Sequence, residues 1–171
     1  MTLIHTALLC EAQAIIERHK LKLVQKNPRV YIDGKTILLV SGIGKKNSLK
    51  NLEEIFKNYE ISKALNVGIA GCSDTNIPIG SLFCTNHNLP NIAYLPLKTV
   101  NIPKINQDEH HPSTLYDMEA DYFLSVARNF LNEKDIFIFK VVSDYLNDTI
   151  PPKDFVKKLM QKSISSWERW I

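Results

Sequence analysis

Three carboxylates are the residues best suited to chemistry in this sequence of 171 amino acids. Glu11 follows the apolar segment TLIHTALL, Asp144 closes the segment IFIFKVVSD, and Glu119 lies in the segment YDMEAD. An acid next to an apolar strand is expected to be partly buried, and a partly buried carboxyl can exchange protons near neutral pH. Each acid also has a simpler explanation, because helix and turn starts favour acidic residues.

The three acids of YDMEAD are predicted to differ in role. Asp117 is best interpreted as a helix N-cap, which accepts a hydrogen bond from a free backbone amide. Glu119 shares a helical face with Phe123 and Val126, so it points to the apolar side and needs a partner there. Asp121 points elsewhere and is predicted to lie on the surface. Glu119 is therefore the acid of this segment that is a candidate ligand-binding residue.

The elements that must position these acids follow from the spacing of apolar residues. The pattern predicts strands at residues 2–9, 36–40, 63–67 and 136–142, extended segments at 80–85 and 91–100, and helices at 11–19, 45–59, 118–131 and 152–170. Two further strands are predicted to form a hairpin around Lys26–Pro28. This alternation predicts one α/β domain, with helices on both sides of a mixed, mainly parallel sheet.

Ligands of such sheets bind beyond the carboxyl ends of the strands. The residues predicted at those ends are Glu11, Gly42, Gly44, Gly68, Gly71 and Asp144. We expect them to meet at one edge of the sheet, where Glu119 could join them. The convergence of residues that are distant in sequence makes a functional site more plausible than separate caps.

Gly42 and Gly44 lie in SGIGKKN, directly before a predicted helix. Glycines there indicate either a tight turn or an anion-binding site at the helix N-terminus. The segment matches neither a dinucleotide fingerprint, because Asn47 stands at the third glycine position, nor a P-loop. Nicotinamide cofactors and ATP are therefore not expected, and no cofactor is predicted.

Composition and charge limit the classes of partner that the sequence predicts. The net charge of +3 comes from scattered lysines, so neither nucleic acid nor a membrane is an expected partner. No lysine or arginine precedes Arg18, which argues against an export signal and predicts a cytoplasmic protein. The isolated cysteines Cys10, Cys72 and Cys84 are predicted to be buried thiols, and the pair His110-His111 a loop, so no metal site is expected.

Several segments together resemble a known family. They are ALLCEAQAII, SGIGKKNS, NVGIAG with IPIGSLF, DMEA, and KVVSDYLND, and they occur in the order found in the nucleoside phosphorylase/nucleosidase superfamily. The pattern is most similar to methylthioadenosine/S-adenosylhomocysteine nucleosidases and futalosine hydrolase. The resemblance runs nearly from end to end. It implies a three-layer αβα sandwich and cleavage of the N-glycosidic bond between ribose and a purine-type base.

The resemblance also implies roles. Asp144 would protonate the leaving base, and Glu11 would orient or deprotonate the attacking water. Glu119 would hold the ribose hydroxyls, with Met118 packed against the sugar. The remaining substrate-binding residues that the resemblance implies are Gly68, Ile69, Gly71 and Ser143.

The sequence departs from the family pattern in three respects. Ile69 replaces a small or hydroxylated residue, the chain between IPIG and DMEA is shortened, and no arginines match the phosphate clamp of phosphorylases. Hydrolysis of a nucleoside is therefore favoured, although Lys45 or Lys46 could bind phosphate. A phosphate-dependent phosphorylase and a non-catalytic descendant that binds a nucleoside or a protein are the alternatives. The family also implies a homodimer.

Overall fold

One mixed sheet with helices on both faces forms the framework of the protein. The computed structural model describes residues 1–105 and 112–171. The strands of this part are β1 (Thr2–Thr6), β2 (Lys22–Lys26), β3 (Arg29–Ile32), β4 (Thr36–Val40), β5 (Lys63–Cys72), β6 (Leu82–Cys84), β7 (Ala93–Tyr94), β8 (Leu97–Thr99), β9 (Leu115–Asp117) and β10 (Ile136–Asp144). The helices are α1 (Leu9–His19), α2 (Lys45–Asn58), α3 (Ala120–Ala127) and α4 (Lys153–Trp167). Two 3₁₀ turns follow α3 and α4, at Glu133–Asp135 and Glu168–Trp170.

The centre of the sheet is parallel. Strands β4, β1, β5 and β10 lie side by side in that order and run in the same direction. The antiparallel hairpin of β2 and β3 extends the sheet beyond β4, and β6 and β7 extend it beyond β10. The short strand β9 pairs with the end of β5 and carries β8 on its other side. The carboxyl ends of the four central strands therefore share one edge, as the sequence predicted.

Two apolar cores hold the helices to the sheet. Helices α1 and α4 pack on one face, where Trp167 is fully buried among residues such as Phe139. Helices α2 and α3 pack on the other face, around Phe123 and Leu52. The side chains of a central strand alternate between the two faces, so strands buried on both sides are apolar almost throughout. The predicted α/β fold with three layers is confirmed.

Several element boundaries differ from the prediction. β1 ends at Thr6 because α1 begins at Leu9, and β5 continues through Gly68 and Gly71 instead of ending before them. β5 is extended because β10 pairs with it as far as Gly71.

Helix α3 covers only Ala120–Ala127 of the predicted residues 118–131. It is short because tighter turns replace helical hydrogen bonds at its end, where the amide of Phe130 donates to the carbonyl of Ala127. Phe130, which the helical pattern placed inside, is 44% exposed, although its ring stacks on Phe56. β9, just before the helix, was not predicted.

The predicted buried thiols Cys10, Cys72 and Cys84 are confirmed as buried and free. His110 and His111 lie outside the described residues. In residues 1–105 and 112–171 no helix has the length and apolar character needed to cross a membrane.

Candidate active site

A cavity of about 380 Å³ opens at the carboxyl ends of the central strands. Its volume lies within the range of roughly 300–1,000 Å³ that is usual for small-molecule sites. The predicted site residues in its wall are Glu11, Ile69, Gly71, Met118, Glu119, Ser143 and Asp144. Gly42, Gly44 and Gly68 are not among the described residues that line the cavity, whereas Ile43, between the first two, is. The sheet thus brings the three acids of the sequence analysis to one cavity.

Glu11 is held rigidly at the start of α1. Its Oε2 accepts hydrogen bonds from the amides of Ala7 (3.0 Å) and Leu8 (2.8 Å), and its Oε1 accepts one from the amide of Ile69 (3.0 Å). The bond to Leu8 is a helix-capping contact, so the simpler explanation of Glu11 is also correct. Burial raises the pKa of the Glu11 carboxyl, and the three amides only partly counteract it.

Gly68 makes room for that carboxylate. A Cβ atom at residue 68 would lie 2.6 Å from Glu11 Oε1 and 3.2 Å from its carboxyl carbon. Gly68 lies in β5, where its backbone needs no glycine, so the constraint is space. The space next to the Gly68 backbone is therefore occupied by the side chain of Glu11.

Asp144 closes β10 at a bulge. The register between β10 and β5 shifts between Val142 and Asp144, so that Asp144 pairs with Gly71 and is only partly buried. Its Oδ2 accepts a hydrogen bond from Ser143 Oγ (2.6 Å), and its Oδ1 accepts one from the amide of Leu146 (2.9 Å). A Cβ atom at Gly71 would lie 3.0 Å from Asp144 Oδ1 and 2.7 Å from Leu146, so this glycine admits the turn that orients the acid.

Glu119 lies at the N-terminus of α3 and reaches α2. Its Oε1 accepts a hydrogen bond from the amide of Gly44 at 2.8 Å. The Gly44 amide belongs to the helix N-terminus that the sequence predicts as a possible anion-binding site. In the structure the anion bound by this amide is the Glu119 carboxylate of the protein itself. Burial raises the pKa of Glu119 to about 7, against the opposing effects of Lys140 and the Gly44 amide. Gly42 and Gly44 both have positive φ angles, which confirms the tight turn.

Asp117 accepts a hydrogen bond from the first amide of α3, although the N-cap of that helix is Glu119. It also forms an ion pair that was not predicted from the sequence. Its Oδ2 accepts a hydrogen bond from the amide of Ala120 (2.9 Å), and its Oδ1 accepts one from Thr99 Oγ1 (2.7 Å). Lys140 Nζ lies 2.7 Å from Asp117 Oδ2, and both side chains are almost completely buried. Asp121 is exposed, as predicted. The available signal was the single lysine of the apolar strand IFIFKVV, because a buried ammonium requires a partner.

A buried histidine supports the turn that carries Gly44. His5 Nε2 lies 2.7 Å from Ser41 Oγ, and Asn66 Nδ2 donates to His5 Nδ1 at 2.8 Å. Ser41 Oγ in turn donates to the carbonyl of Gly42 at 2.9 Å. Burial, with a smaller contribution from the Lys140 charge, lowers the pKa of His5 to about 3. His5 is therefore neutral at pH 7, and its hydrogen bonds connect β1 with Ser41, directly after β4, and with Asn66 of β5.

Comparisons with known proteins identify the fold. No family model and no curated protein sequence matches the chain. Among solved structures, an aspartate-to-asparagine variant of MTAN from Chlamydia trachomatis bound to MTA has a TM-score of 0.80 at 18% identity, covering 99% of this chain and 98% of that one.

Two Helicobacter pylori structures are equally similar in shape. They are 5′-methylthioadenosine/S-adenosylhomocysteine nucleosidase with butyl-thio-DADMe-Immucillin-A and native futalosine hydrolase. Each has a TM-score of 0.81 at 13% identity, with 99% of this chain and 96% of the other covered. The near-complete coverage of both chains means that the likeness includes the whole sheet and both helical layers. The chain therefore has the nucleoside phosphorylase/nucleosidase fold.

Proposed function

We propose that the protein hydrolyses the N-glycosidic bond of a purine nucleoside or a 5′-substituted adenosine derivative. The observation that carries the proposal is the meeting of Glu11, Glu119 and Asp144 in the wall of one cavity. The proposal is supported by the fold, since solved structures of the same fold include nucleosidases and a futalosine hydrolase. Hydrolysis of an N-glycosidic bond requires a proton donor for the leaving base, a group that binds the sugar and a positioned water molecule.

Asp144 is assigned to the leaving base. It is only partly buried, so one side of its carboxyl faces the cavity while Ser143 and the Leu146 amide fix its orientation. A purine anion is a poor leaving group. Departure of the base becomes easier when one of its nitrogens is protonated or receives a hydrogen bond. An oriented carboxyl group can provide that proton as the glycosidic bond breaks.

Glu119 is assigned to the ribose hydroxyls. One of its oxygens is bound to the Gly44 amide, which leaves the second oxygen to accept hydrogen bonds from a sugar. Met118 also lines the cavity and can pack against the apolar face of the ribose. Carboxylates close to the sugar stabilise the positive charge that develops there in the transition state.

Glu11 is assigned to the water nucleophile. A carboxylate has about four acceptor positions, and three amides of the protein occupy three of them. The remaining position is available for one water molecule. Because burial raises its pKa, Glu11 is a stronger base toward that water than an exposed glutamate is.

The charge of the cavity wall favours water over phosphate as the nucleophile. Among the described lining residues, Lys104 is the only lysine or arginine, and its Nζ lies 4.9 Å from the centre of the Tyr116 ring. Lys45 and Lys46, the candidate phosphate ligands of the sequence, are not part of this wall. A phosphate dianion between several carboxylates would need more positive charge than these residues supply.

The test is a chromatographic assay of base release from a panel of nucleosides, including 5′-methylthioadenosine, S-adenosylhomocysteine, futalosine, adenosine and inosine, with and without phosphate. We expect release without phosphate, and a loss of roughly 10²–10⁴-fold in kcat for both Asp144→Asn and Glu11→Gln. Asp121→Asn is the matched control, because Asp121 is an exposed acid close to the site, and it should retain activity.

Each alternative has its own result. Release that requires phosphate and yields ribose 1-phosphate would identify a phosphorylase. Ligand-induced thermal stabilisation without release from any nucleoside would identify a non-catalytic binding protein. Base release that survives both Asp144→Asn and Glu11→Gln would contradict the assigned roles.

A further inference from the structure

Leu146 has a backbone conformation that leucine rarely adopts, and it lies close to the candidate acid Asp144. Its φ angle is +59°, in the left-handed region. In the described part of the chain, the other non-glycine residues with positive φ are Lys20 and Asn91. Lys20 ends α1, where a left-handed residue is common, and asparagine tolerates this conformation. Leu146 has neither explanation, and a conformation of this kind persists only where the surrounding structure holds it.

The side chain of Leu146 lies over Gly71. Only 4% of Leu146 is exposed, although it lines the cavity. A Cβ atom at residue 71 would lie 2.7 Å from Leu146 Cδ2, so the leucine methyl group occupies the space that a side chain there would need. Gly71 belongs to β5 and does not have a positive φ angle, so the constraint at this glycine is space. An apolar contact therefore anchors the chain at residue 146.

The preceding residue attaches this turn at a second place. The hydroxyl of Tyr145 donates to the carbonyl of Ile77 at 2.9 Å, and Tyr145 packs against the apolar cluster that includes Phe83 and Leu115. Tyr145 and Leu146 thus attach the segment after β10 to two different parts of the structure. Two attachments on successive residues can hold a φ angle that leucine does not favour.

The same turn provides a hydrogen bond to the candidate acid. The amide of Leu146 donates to Asp144 Oδ1 at 2.9 Å, and a Cβ atom at Gly71 would lie 3.0 Å from this oxygen. Gly71 therefore leaves room both for the methyl group of Leu146 and for the carboxylate oxygen that the Leu146 amide binds. A turn that needed only the amide would favour glycine or asparagine at residue 146. Leucine adds the contact with Gly71.

We propose that Leu146 is a positioning residue for Asp144, because its side chain over Gly71 holds the left-handed turn in which its amide binds Oδ1. The Asp144 carboxyl then keeps one orientation toward the leaving base. The part of this inference that concerns the base rests on the proposed function. A smaller side chain at residue 146 loses the anchor but still disfavours a positive φ angle, so the turn is expected to change and to release Asp144 Oδ1.

The direct test is a ¹H–¹⁵N NMR titration of the residue 146 amide with pH. In the wild type the shift of this amide proton should follow the titration of the Asp144 carboxyl, and the dependence should vanish in Asp144→Asn. In Leu146→Ala we expect the dependence to be lost, whereas Leu146→Met keeps an apolar side chain over Gly71 and should retain it. Leu159→Ala is the matched control, since Leu159 is similarly buried but is not among the described residues of the cavity wall, and it should retain the dependence.

Leu146→Gly covers the case in which Leu146→Ala does not fold. Glycine adopts a positive φ angle without strain, so this variant removes the side chain while permitting the turn. The pH dependence of the residue 146 amide should weaken, because glycine also samples other conformations. A dependence that is unchanged in Leu146→Gly or in Leu146→Ala would overturn the inference.

Kinetics with two leaving groups supply a second readout. The departure of a purine is helped by a proton from Asp144, whereas the phenolate of 4-nitrophenyl β-D-ribofuranoside leaves without one. In Leu146→Ala we expect kcat to fall by roughly 10²-fold for the best nucleoside of the panel and much less for the nitrophenyl riboside. Equal losses for both substrates would indicate a merely structural role and would overturn the inference. A wild-type protein that releases no base would contradict the proposed function alone, since the amide titration requires no substrate.

Discussion

At the scale of single residues, the site depends on the absence of a side chain at residue 68. The carboxylate of Glu11 lies over the Cα atom of Gly68, at the position that a methyl group would take. The same carboxylate is fixed by amides before α1 and in β5. The placement of the candidate base therefore depends on its own hydrogen bonds and on Gly68 together.

Gly68→Ala is predicted to reduce base release by roughly 10²-fold, because small misplacements of a catalytic group have effects of that size. The new methyl group would push Glu11 away from the amide of Ile69. Stability should fall by only about 1–3 kcal/mol, the usual effect of overpacking. Activity is measured by base release and stability by urea unfolding.

Gly34→Ala is the control for that substitution. Gly34 has a φ of +97° with nothing within 4 Å of the added Cβ, so alanine there strains the backbone at a distance from the cavity. It should lower stability by about 1–2 kcal/mol without changing activity. Equal activities for Gly68→Ala and Gly34→Ala would show that Gly68 does not position Glu11.

Single residues also show what a sequence can reveal about a site. The places of Glu11 and Asp144 in the cavity wall were predictable because an acid beside an apolar strand is unusual, and that of Glu119 because it falls on the apolar face of a predicted helix. The ion pair of Lys140 with Asp117 was not predicted, because Asp117 had a sufficient local explanation as a cap and its partner is distant in sequence. A cap contact is local, whereas an ion pair between β9 and β10 depends on the tertiary fold.

At the scale of elements, long periodic segments were predictable and short irregular ones were not. β4 and α2 match the predicted residues closely, because four apolar residues in a row and a helical repeat are strong local signals. β9 has only three residues, and its partners β5 and β8 define it. The start of α3 likewise depends on contacts with β8.

Thr99 of β8 connects three parts of the site. Its Oγ1 donates to Asp117 Oδ1 at 2.7 Å and accepts from the amide of Asp121 at 3.0 Å. Thr99→Val should lower the free energy of unfolding by about 1–3 kcal/mol, because it leaves a buried carboxylate oxygen and a helix amide without this partner. Urea unfolding measures the change.

Thr6→Val provides the matched control. The hydroxyl of Thr6 is completely buried and has no hydrogen-bond partner in the described part of the chain. Replacing this hydroxyl by a methyl group should leave stability unchanged or raise it, since it removes an unsatisfied polar group. Equal losses for Thr99→Val and Thr6→Val would show that the bonds of Thr99 contribute nothing.

At the scale of the whole molecule, two buried groups make the stability depend on pH in opposite directions. Burial lowers the pKa of His5 from 6.5 to about 3 and raises the pKa of Glu119 from 4.5 to about 7. His5 contributes stability above pH 6.5 that is lost as the pH falls toward 3. Glu119 contributes stability below pH 4.5 that is lost as the pH rises toward 7.

Between pH 4.5 and 6.5 the two effects oppose each other, and substitution of either residue should reveal the other. In Glu119→Gln the slope of stability against pH should be more positive than in the wild type, because the opposing contribution of Glu119 is removed while the unfolded state still binds more protons at His5 than the native state does. In His5→Phe, which keeps a ring against Phe123, stability should fall as the pH rises. Each group alone changes the slope of the free energy of unfolding against pH by at most about 1.4 kcal/mol per pH unit. Urea unfolding at half-unit steps measures the slopes of both variants and of the wild type, and two variants whose slopes change in the same direction from that of the wild type would contradict the assignment of opposite proton balances to these two groups.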